Sequence, residues 1–290
     1  MRQPNHLRAT HHSPDAPGGR GRLGRADLHI HTLASDGVDG IDAIFERVSS
    51  VGDLDVIGIA DHERVDGALA GQALARSRGL PFEVIVGEEV STREGHLLAL
   101  FVSERLKPWK SMRTSIGEVH EQGGLAVVAH PLFPYPLCAQ AWTLNRLLAA
   151  DDPMVRPDAI EAFNPTTFGK LVHRRVVEYV RARGLTAVGN SDAHEAGSVG
   201  LGWTTFPGRT ADDLRTAILE GWTGWHGSFH GTIEQLPTFG RQLRKYSTGI
   251  RDGVAGKVRR DGSGRDLGYP GGRQRPPRFD PEAREPEAAG

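Results

Sequence analysis

The chain has 290 residues, a formal net charge of −1 and one cysteine, Cys138. That length holds one large α/β domain or two small ones. A single thiol excludes a disulfide framework, and no run of eighteen apolar residues is present to form a transmembrane helix. The charge is uneven: the first 24 residues hold four Arg and one Asp, the last fifty hold twelve Lys/Arg and seven Asp/Glu, and residues 25–240 carry a net −9. An acidic body with basic ends is not the footprint of a duplex-binding domain, which is basic on its body. It suits a protein that gathers carboxylates around cations.

Residues 1–24 are rich in Gly, Pro and Arg and read as a disordered N-terminal tail. They lack an apolar stretch behind their charges, so a secretory signal is not expected, and a cytoplasmic location is. The first strand is "ADLHI", residues 26–30, and Asp39 is expected to cap a helix over "GIDAIFERVSS". "DVIGIA" is the second strand, followed by a helix over "VDGALAGQALARSRG" that stops at Gly79. "FEVIV" and "HLLALF" are the third and fourth strands. Ser111 or Thr114 opens the next helix, which runs to Gln122. "LAVVA", "DAIEAF" and "TAVGN" are strands five to seven, with a helix over "KLVHRRVVEYVRARG" before the last of them. Thr210 caps a final helix, with Asp213 at the capping-box position. Residues 241–290 read as a second disordered tail, which leaves 25–240 as the folded domain. The strands are rich in Val, Ile and Ala, as strands buried on both faces are. Their alternation with helices predicts βα units and a mainly parallel sheet, as a barrel or an open sheet.

Polar groups fall at one end of strand after strand: His29 and His31; Asp61 and His62; Glu88 and Glu89; His96; His130; Asn164; Asp192 and His194. In a parallel α/β barrel the carboxyl ends of the strands converge on one face. Imidazole and carboxylate without thiolate suit Zn, Mn or Fe, and H-x-H on a strand turns both rings to one face. Other histidines carry less. His120 and His173 lie in helical patterns and read as structural, and His226 and His230 follow the last helix. His6, His11 and His12 lie in the tail. Cys138 reads as a small packed residue.

The motifs "DLHIHTLASDG", "IADH", "GEEV", "HLLALF", "GGLAVVAHP" and "NSDAH" resemble, in this order, those of the polymerase and histidinol phosphatase (PHP) family. The resemblance covers residues 25–206. It implies a distorted seven-stranded β/α barrel, TIM-like, with up to three divalent metals (Mn, Zn, Fe or Mg) on the carboxyl-end face. Carried over by motif, His29, His31, Glu89 and Asp192 resemble the ligands of one metal. Glu89 also bridges to a second, with His96 and His130, and Asp36, His62 and His194 resemble the ligands of a third. Glu89 is preferred to Glu88 as the bridge because the family pattern is Gly-x-Glu. Asp61 is read as a carboxylate that fixes a ligand ring's tautomer, or else as a turn residue.

This set implies a phosphoester hydrolase that uses a metal-bound hydroxide, with Glu89, Asp192 and His194 at the chemistry and His194 assisting the leaving group. No P-loop is present, so ATP-driven chemistry is not expected. Arg64, Lys170 and Arg174 are candidate contacts for the substrate's anionic parts. The first reading of the substrate is a nucleotide or short oligonucleotide, with the enzyme a 5'-to-3' exonuclease or nucleotide phosphatase. A histidinol-phosphatase-like monoesterase is second, disfavoured because stand-alone enzymes of that kind tend to carry a histidine where this chain has Asp36. A polymerase proofreading module lacks its polymerase here. A non-catalytic metal- or nucleic-acid-binding protein is the reading of a different class. No membrane or obligate protein partner is expected.

Overall fold

The computed structural model describes residues 8–11, 22–134 and 137–229. The elements are β1 (Arg8–His11), β2 (Gly24–Ile30), α1 (Ile41–Val51), β3 (Val56–Ile59), α2 (Asp66–Arg78), β4 (Glu83–Thr92), β5 (Gly95–Leu100), α3 (Met112–Glu121), β6 (Leu125–Val128), α4 (Ala141–Leu148), β7 (Ala159–Phe163), α5 (Thr167–Arg183), β8 (Ala187–Gly189), β9 (Gly202–Phe206), α6 (Ala211–Glu220) and β10 (Gly224–Ser228). Among the described residues one sheet of ten strands runs β1-β10-β9-β2-β3-β4-β5-β6-β7-β8.

Strands β2 to β8 are the seven expected from sequence, and they form a distorted ring. The ring closes just past β8, where Ala193 bridges Ile30. There His31 N donates to Ala193 O at 2.8 Å, and Ala193 N donates to His29 O at 3.0 Å. The lower half of β2 instead pairs antiparallel with β9, from Gly24↔Phe206 to Ala26↔Thr204. Strands β9, β10 and β1 continue the sheet from β2, and β9 turns back against β8, where Thr204 Oγ1 accepts from Gly189 N at 3.0 Å and donates to Gly189 O at 2.9 Å; the sequence reading lacked these three strands. Strand β1 also corrects the tail reading of residues 1–24, since Arg8–His11 pairs with β10. The tail expected at 241–290 lies outside the described residues.

The sheet is less parallel than expected. Strands β2, β3 and β4 run parallel, as do β6, β7 and β8, but β5 is antiparallel to both its neighbours. The link between β4 and β5 is a hairpin, with Thr92 paired to Gly95, rather than a βα crossover. Two residues suffice for that turn, and Gly95 sits at φ 142°, a value L side chains rarely adopt. A Cβ there would also lie 2.4 Å from Ala139 N.

Alternation along the strands sorts side chains to two faces. One layer holds Leu28, Val56, Ala60, Ile85, Leu98, Leu100, Val127 and Val188, and Leu214, Ala217 and Ile218 of α6 pack against it. The other face packs Ile57, Ile59, Val84, Val86 and Leu97 against α1–α5. Helix α6 closes the amino-terminal end of the ring. Ala211 N donates to Glu83, Arg209 pairs with Asp55, and Arg215 donates to Gly123 O, each beside a strand start.

Helix ends follow local chemistry. Thr210 and Asp213 form the expected capping box, Ser111 caps α3, and Gly79 and Gly184 end α2 and α5 in the left-handed conformation. Asp39 does not cap α1, whose N-cap is Gly40 without a side-chain bond. Its Oδ2 accepts from Ala196 N at 2.7 Å instead, tying the loop after β2 to the loop after β8.

Candidate metal centre

The carboxyl ends of β2, β3, β4, β6 and the segment after β8 gather on one face, and each carries donors. His96 lies at the start of β5, yet joins them. Because β5 runs backwards, its first residue stands where its neighbours end.

All nine donors expected from sequence are brought together. Glu89, buried at the centre, has Oε2 at 3.1 Å from His29 Nε2, 3.2 Å from His31 Nε2 and 3.3 Å from His62 Nε2. Its Oε1 lies 2.7 Å from His96 Nδ1 and 3.0 Å from His130 Nε2. Asp192 Oδ1 lies 3.4 Å from Nε2 of both His29 and His31. Asp36 Oδ2 lies 3.0 Å from His194 Nε2 and 3.9 Å from His62 Nε2. Four overlapping groups have ligand atoms close enough for one ion: His31, Asp36, His62 and His194; His29, His31 and Glu89; His29, His130 and Asp192; His62, Glu89 and His96. The first is the expected third set with His31 added. His96 and His130 fall in different groups, joined through Glu89.

The alternation of β4 separates the two adjacent glutamates. Glu89 points with Ile85 to the inner face, among the histidines. Glu88 points the other way, where its Oε2 accepts from Leu106 N at 2.8 Å. Burial there pushes the Glu88 carboxyl up to about 7.

The donor set fits divalent cations on an observation independent of motif. Nε2 of His29, both ring nitrogens of His31 and Nδ1 of His96 are buried and face carboxylate oxygens at 2.7 to 3.6 Å, yet meet none of them in hydrogen-bond geometry. Buried polar atoms are ordinarily paired. Electrostatics agree. Burial alone would lower His31, but the adjoining carboxylates of Asp192 and Glu89 raise it to about 10. Burial likewise opposes His29, and Asp192, Glu89 and Glu161 raise it well above the usual imidazole range. Burial would raise Glu89, but His96, His62 and His29 hold it well below the usual carboxylate range. His62 departs from this pattern, since burial brings it down to about 4. The carboxylates favour positive charge at His29 and His31, which a bound divalent ion would supply in place of protons.

Two of the donors also sit in an unusual backbone conformation. Asp192 (φ 49°) and His130 (φ 25°) are two of the few non-glycine residues at positive φ, a conformation tolerated where surrounding structure enforces it.

The supporting residues were partly hidden from sequence. Glu161, buried in the middle of β7, accepts four hydrogen bonds. His29 Nδ1 (3.0 Å) and Asn190 Nδ2 (2.9 Å) reach Oε1, and His130 N (2.8 Å) and Asn164 Nδ2 (3.0 Å) reach Oε2. An ionised carboxylate only accepts, so Nδ1 of His29 carries the proton and Nε2 faces the centre. The role expected of Asp61 belongs to Glu161. Asp61 touches no imidazole; it accepts from Thr32 N (2.7 Å), Thr32 Oγ1 (2.8 Å) and Ser35 Oγ (2.6 Å), and so shapes the turn that delivers Asp36. Asp27 was also missed. It accepts from Ser191 N and Gly200 N, both at 2.9 Å, and anchors the loop that carries Asp192 and His194.

The remaining candidates lie elsewhere. His120 bonds Met154 O and Asp158 at 2.8 Å each, and His173 bonds Ala162 O. His226 is buried on β10 with Nε2 2.9 Å from Thr205 Oγ1. Side chains of Tyr135 and Pro136, and His6, His12 and His230, lie outside the described residues. Cys138 is buried, with Sγ 3.5 Å from Nδ1 of His130, on the opposite ring edge from Glu89. Arg174 pairs with Glu178 on the exposed face of α5, a solvated contact of small worth. Lys170 lies over the Phe229 ring.

Comparisons with known proteins agree with this geometry. A family model described as PHP-associated matches residues 170–223, which run from α5 through α6. An uncharacterised protein of Methanocaldococcus jannaschii is 33% identical over 121 residues, which cover 38% of this chain and 69% of that protein. Among solved structures, a two-domain Bacteroides vulgatus protein, described as containing a predicted PHP-like metal-dependent phosphoesterase, superposes with a TM-score of 0.57 at 18% identity. That match covers 76% of this chain and 70% of the other. An amidohydrolase from Chromobacterium violaceum, with bound sulfate and no metal, gives 0.50 at 18% identity over 68% of this chain and 96% of its own. At such identities the structures speak for the fold alone. The sequence matches, with the motifs and the donor cluster on this fold, establish that the chain belongs to the PHP family.

Proposed function

We propose that this protein is a metal-dependent phosphoester hydrolase acting on nucleotides or short oligonucleotides, with up to three divalent ions (Mn, Zn, Fe or Mg) held by His29, His31, Asp36, His62, Glu89, His96, His130, Asp192 and His194. The observation that carries this reading is the convergence of five imidazoles on one buried carboxylate, Glu89, with several of their ring nitrogens facing it outside hydrogen-bond geometry.

When bound, divalent ions at such a site supply water activated near neutral pH and charge to offset a developing phosphorane. The protein's own groups do the rest. Glu161 fixes the tautomer of His29. Asp61 and Asp39 hold the loop that presents Asp36. The buried side, at His29, His31 and Glu89, is closed to solvent, whereas Asp36, His62 and His194 remain 22, 26 and 16% exposed. His130 is as exposed as His194, at 16%, so substrate reaches the centre across these partly exposed donors, and the group at Asp36 and His194 is assigned to the leaving oxygen. No helix among the described residues is long and apolar enough to cross a membrane. The free thiol of Cys138 supports a cytoplasmic setting.

The test is turnover of p-nitrophenyl phosphate and bis-p-nitrophenyl phosphate with added Mn, before and after chelation, followed by 5'-phosphorylated oligonucleotides. Activity lost on chelation and regained with metal is the expected result. No metal-dependent turnover on any monoester or diester would overturn the reading in favour of a binding protein.

A further inference from the structure

His130 is gripped at both edges of its ring. Nε2 points at Glu89 Oε1, 3.0 Å away, and Nδ1 points at Sγ of Cys138, 3.5 Å away. One face stacks towards His29 at a centroid distance of 5.9 Å, and His96 meets the ring edge-on at 5.3 Å. The sulfur behind the ring is itself fixed. The Cys138–Ala139 peptide lies against Gly95, where a Cβ would come within 2.9 Å of Cys138 C. Gln140 Nε2 donates to Cys138 O at 2.9 Å, and Leu132 N donates to Ala139 O at 2.9 Å. The preceding residue reaches a second donor, since His96 N donates to Leu137 O at 3.0 Å. Residues 137–140 thus brace both histidines that face Oε1 of Glu89.

An imidazole ligates through a nitrogen that carries no proton. Nε2 of His130 serves only while the ring's proton stays on Nδ1. Among the described residues the atom placed to accept that proton is the Cys138 sulfur. A separate observation points to a ligand at this ring. Ligand atoms of His29, His130 and Asp192 lie within 4.8 Å of one another, close enough for one ion. Nε2 of His29, fully buried, lies 3.1 Å from Glu89 and 3.4 Å from Asp192 and meets neither in hydrogen-bond geometry. The two rings are held differently. The ionised carboxylate of Glu161 only accepts and locks one tautomer of His29, whereas a thiol is a weak donor as well as a weak acceptor.

We propose that Cys138 is a positioning residue for the ion that His130 holds: its sulfur keeps the ring's proton on Nδ1 and leaves Nε2 free to ligate. The inference rests on the metal-binding part of the proposed function and on no particular substrate.

Three variants of the full-length protein separate the hydrogen bond from packing. Cys138→Ala removes the sulfur, Cys138→Val fills its space without an acceptor, and Cys138→Ser supplies an acceptor in less volume. Zinc affinity is measured by competition with a chromophoric chelator, and thermal melting of the metal-free proteins controls for folding. Ala and Val are expected to lose on the order of tenfold in affinity at one ion, the lower end of what a ligating histidine's hydrogen-bond partner contributes, and Ser to regain part of it. Nitrogen NMR of histidine-labelled, zinc-treated protein gives a second readout, with His130 assigned by its absence from His130→Gln. The wild type and Cys138→Ser are expected to show the Nδ1–H form, and Cys138→Val to show the Nε2–H form as well. Wild-type affinity in a folded Ala or Val variant, weaker binding by Ser than by Val, or an unchanged tautomer in Val would each overturn the proposal and leave Cys138 a space-filling residue. If the wild type takes up no divalent ion, the metal reading and this inference fall together. Zinc uptake without turnover of any phosphoester sinks the hydrolase reading alone.

Discussion

Replacing Glu161 by Gln removes one charge and changes almost no volume, yet the hydrogen bonds around it do not permit the exchange. Four donors point at the carboxylate: His29 Nδ1, Asn190 Nδ2, His130 N and Asn164 Nδ2. A glutamine offers one acceptor oxygen and one amino group. If the amino group replaces Oε2 it meets the His130 N–H, which cannot become an acceptor, and Asn164, whose Oδ1 is committed to Thr166 N at 3.0 Å. If it replaces Oε1 it meets Asn190, whose Oδ1 holds Leu28 N at 3.1 Å, and His29, which can adapt. The adaptation moves the His29 proton from Nδ1 to Nε2, the nitrogen that faces Glu89 and Asp192. A protonated Nε2 cannot ligate. One lost charge-assisted hydrogen bond is worth about 1.5–3 kcal/mol, so the affinity for the ion held by His29 falls on the order of ten- to a hundredfold. Competition for metal against a chromophoric chelator measures this, with thermal melting of the metal-free variant as the control for folding. Wild-type metal affinity in a folded Glu161→Gln protein would refute the argument that Glu161 sets the His29 tautomer.

Two further outcomes follow from buried carboxylates outside the donor set. Asp61→Ala strips three hydrogen bonds from the turn between Thr32 and Ser35 and leaves buried donors unpaired. A loss of about 2–4 kcal/mol in urea denaturation is expected, together with weaker metal binding at Asp36; unchanged stability would show that the turn holds itself. Glu88 has a folded pKa of about 7 against 4.5 when unfolded, so the folded state binds its proton more tightly. Its ionisation penalty is absent below about pH 4.5 and complete above about pH 7. Glu88→Gln should therefore gain stability relative to wild type as pH rises through that window, by at most about 3 kcal/mol. A flat difference between the two denaturation curves across that range would contradict the burial argument.

The fold was legible where burial on both faces leaves a compositional mark. Runs such as "VIGI" and "LAVV" are strands because nothing polar interrupts them. Strands β9 and β10, "GWTTF" and "GWHGS", are buried too but carry no such mark, because Gly, Thr and His interrupt their apolar residues. The reversal of β5 was hidden because strand direction is set by the length of the connection, and "TREG" was not read as a tight turn. The donors were legible because they stand just past apolar strands, where a histidine has no packing reason to be. Glu161 was not, since one glutamate inside "AIEAF" has the look of a solvent-facing residue in an alternating strand; only closure of the ring places it inside. Asp39 was misread, and of the two readings of Asp61 the turn residue holds, for a related cause. Their partners, Ala196 and the Thr32–Ser35 turn, are distant in sequence or depend on loop shape, and local capping rules do not reach them.

The bridge between Ile30 and Ala193 works as the buckle of a belt. Its two halves come from opposite ends of the ring, and the donors His29 and His31 flank one half while Asp192 and His194 flank the other. Long-range closure of this kind is paid for late in folding, after local contacts have formed. An unfinished chain therefore lacks the complete set of ion-binding groups until its seventh ring strand is in place. Fastening the barrel and gathering the donors are thus one and the same step, because the bridge that shuts the ring is also what sets the two halves of the cluster face to face.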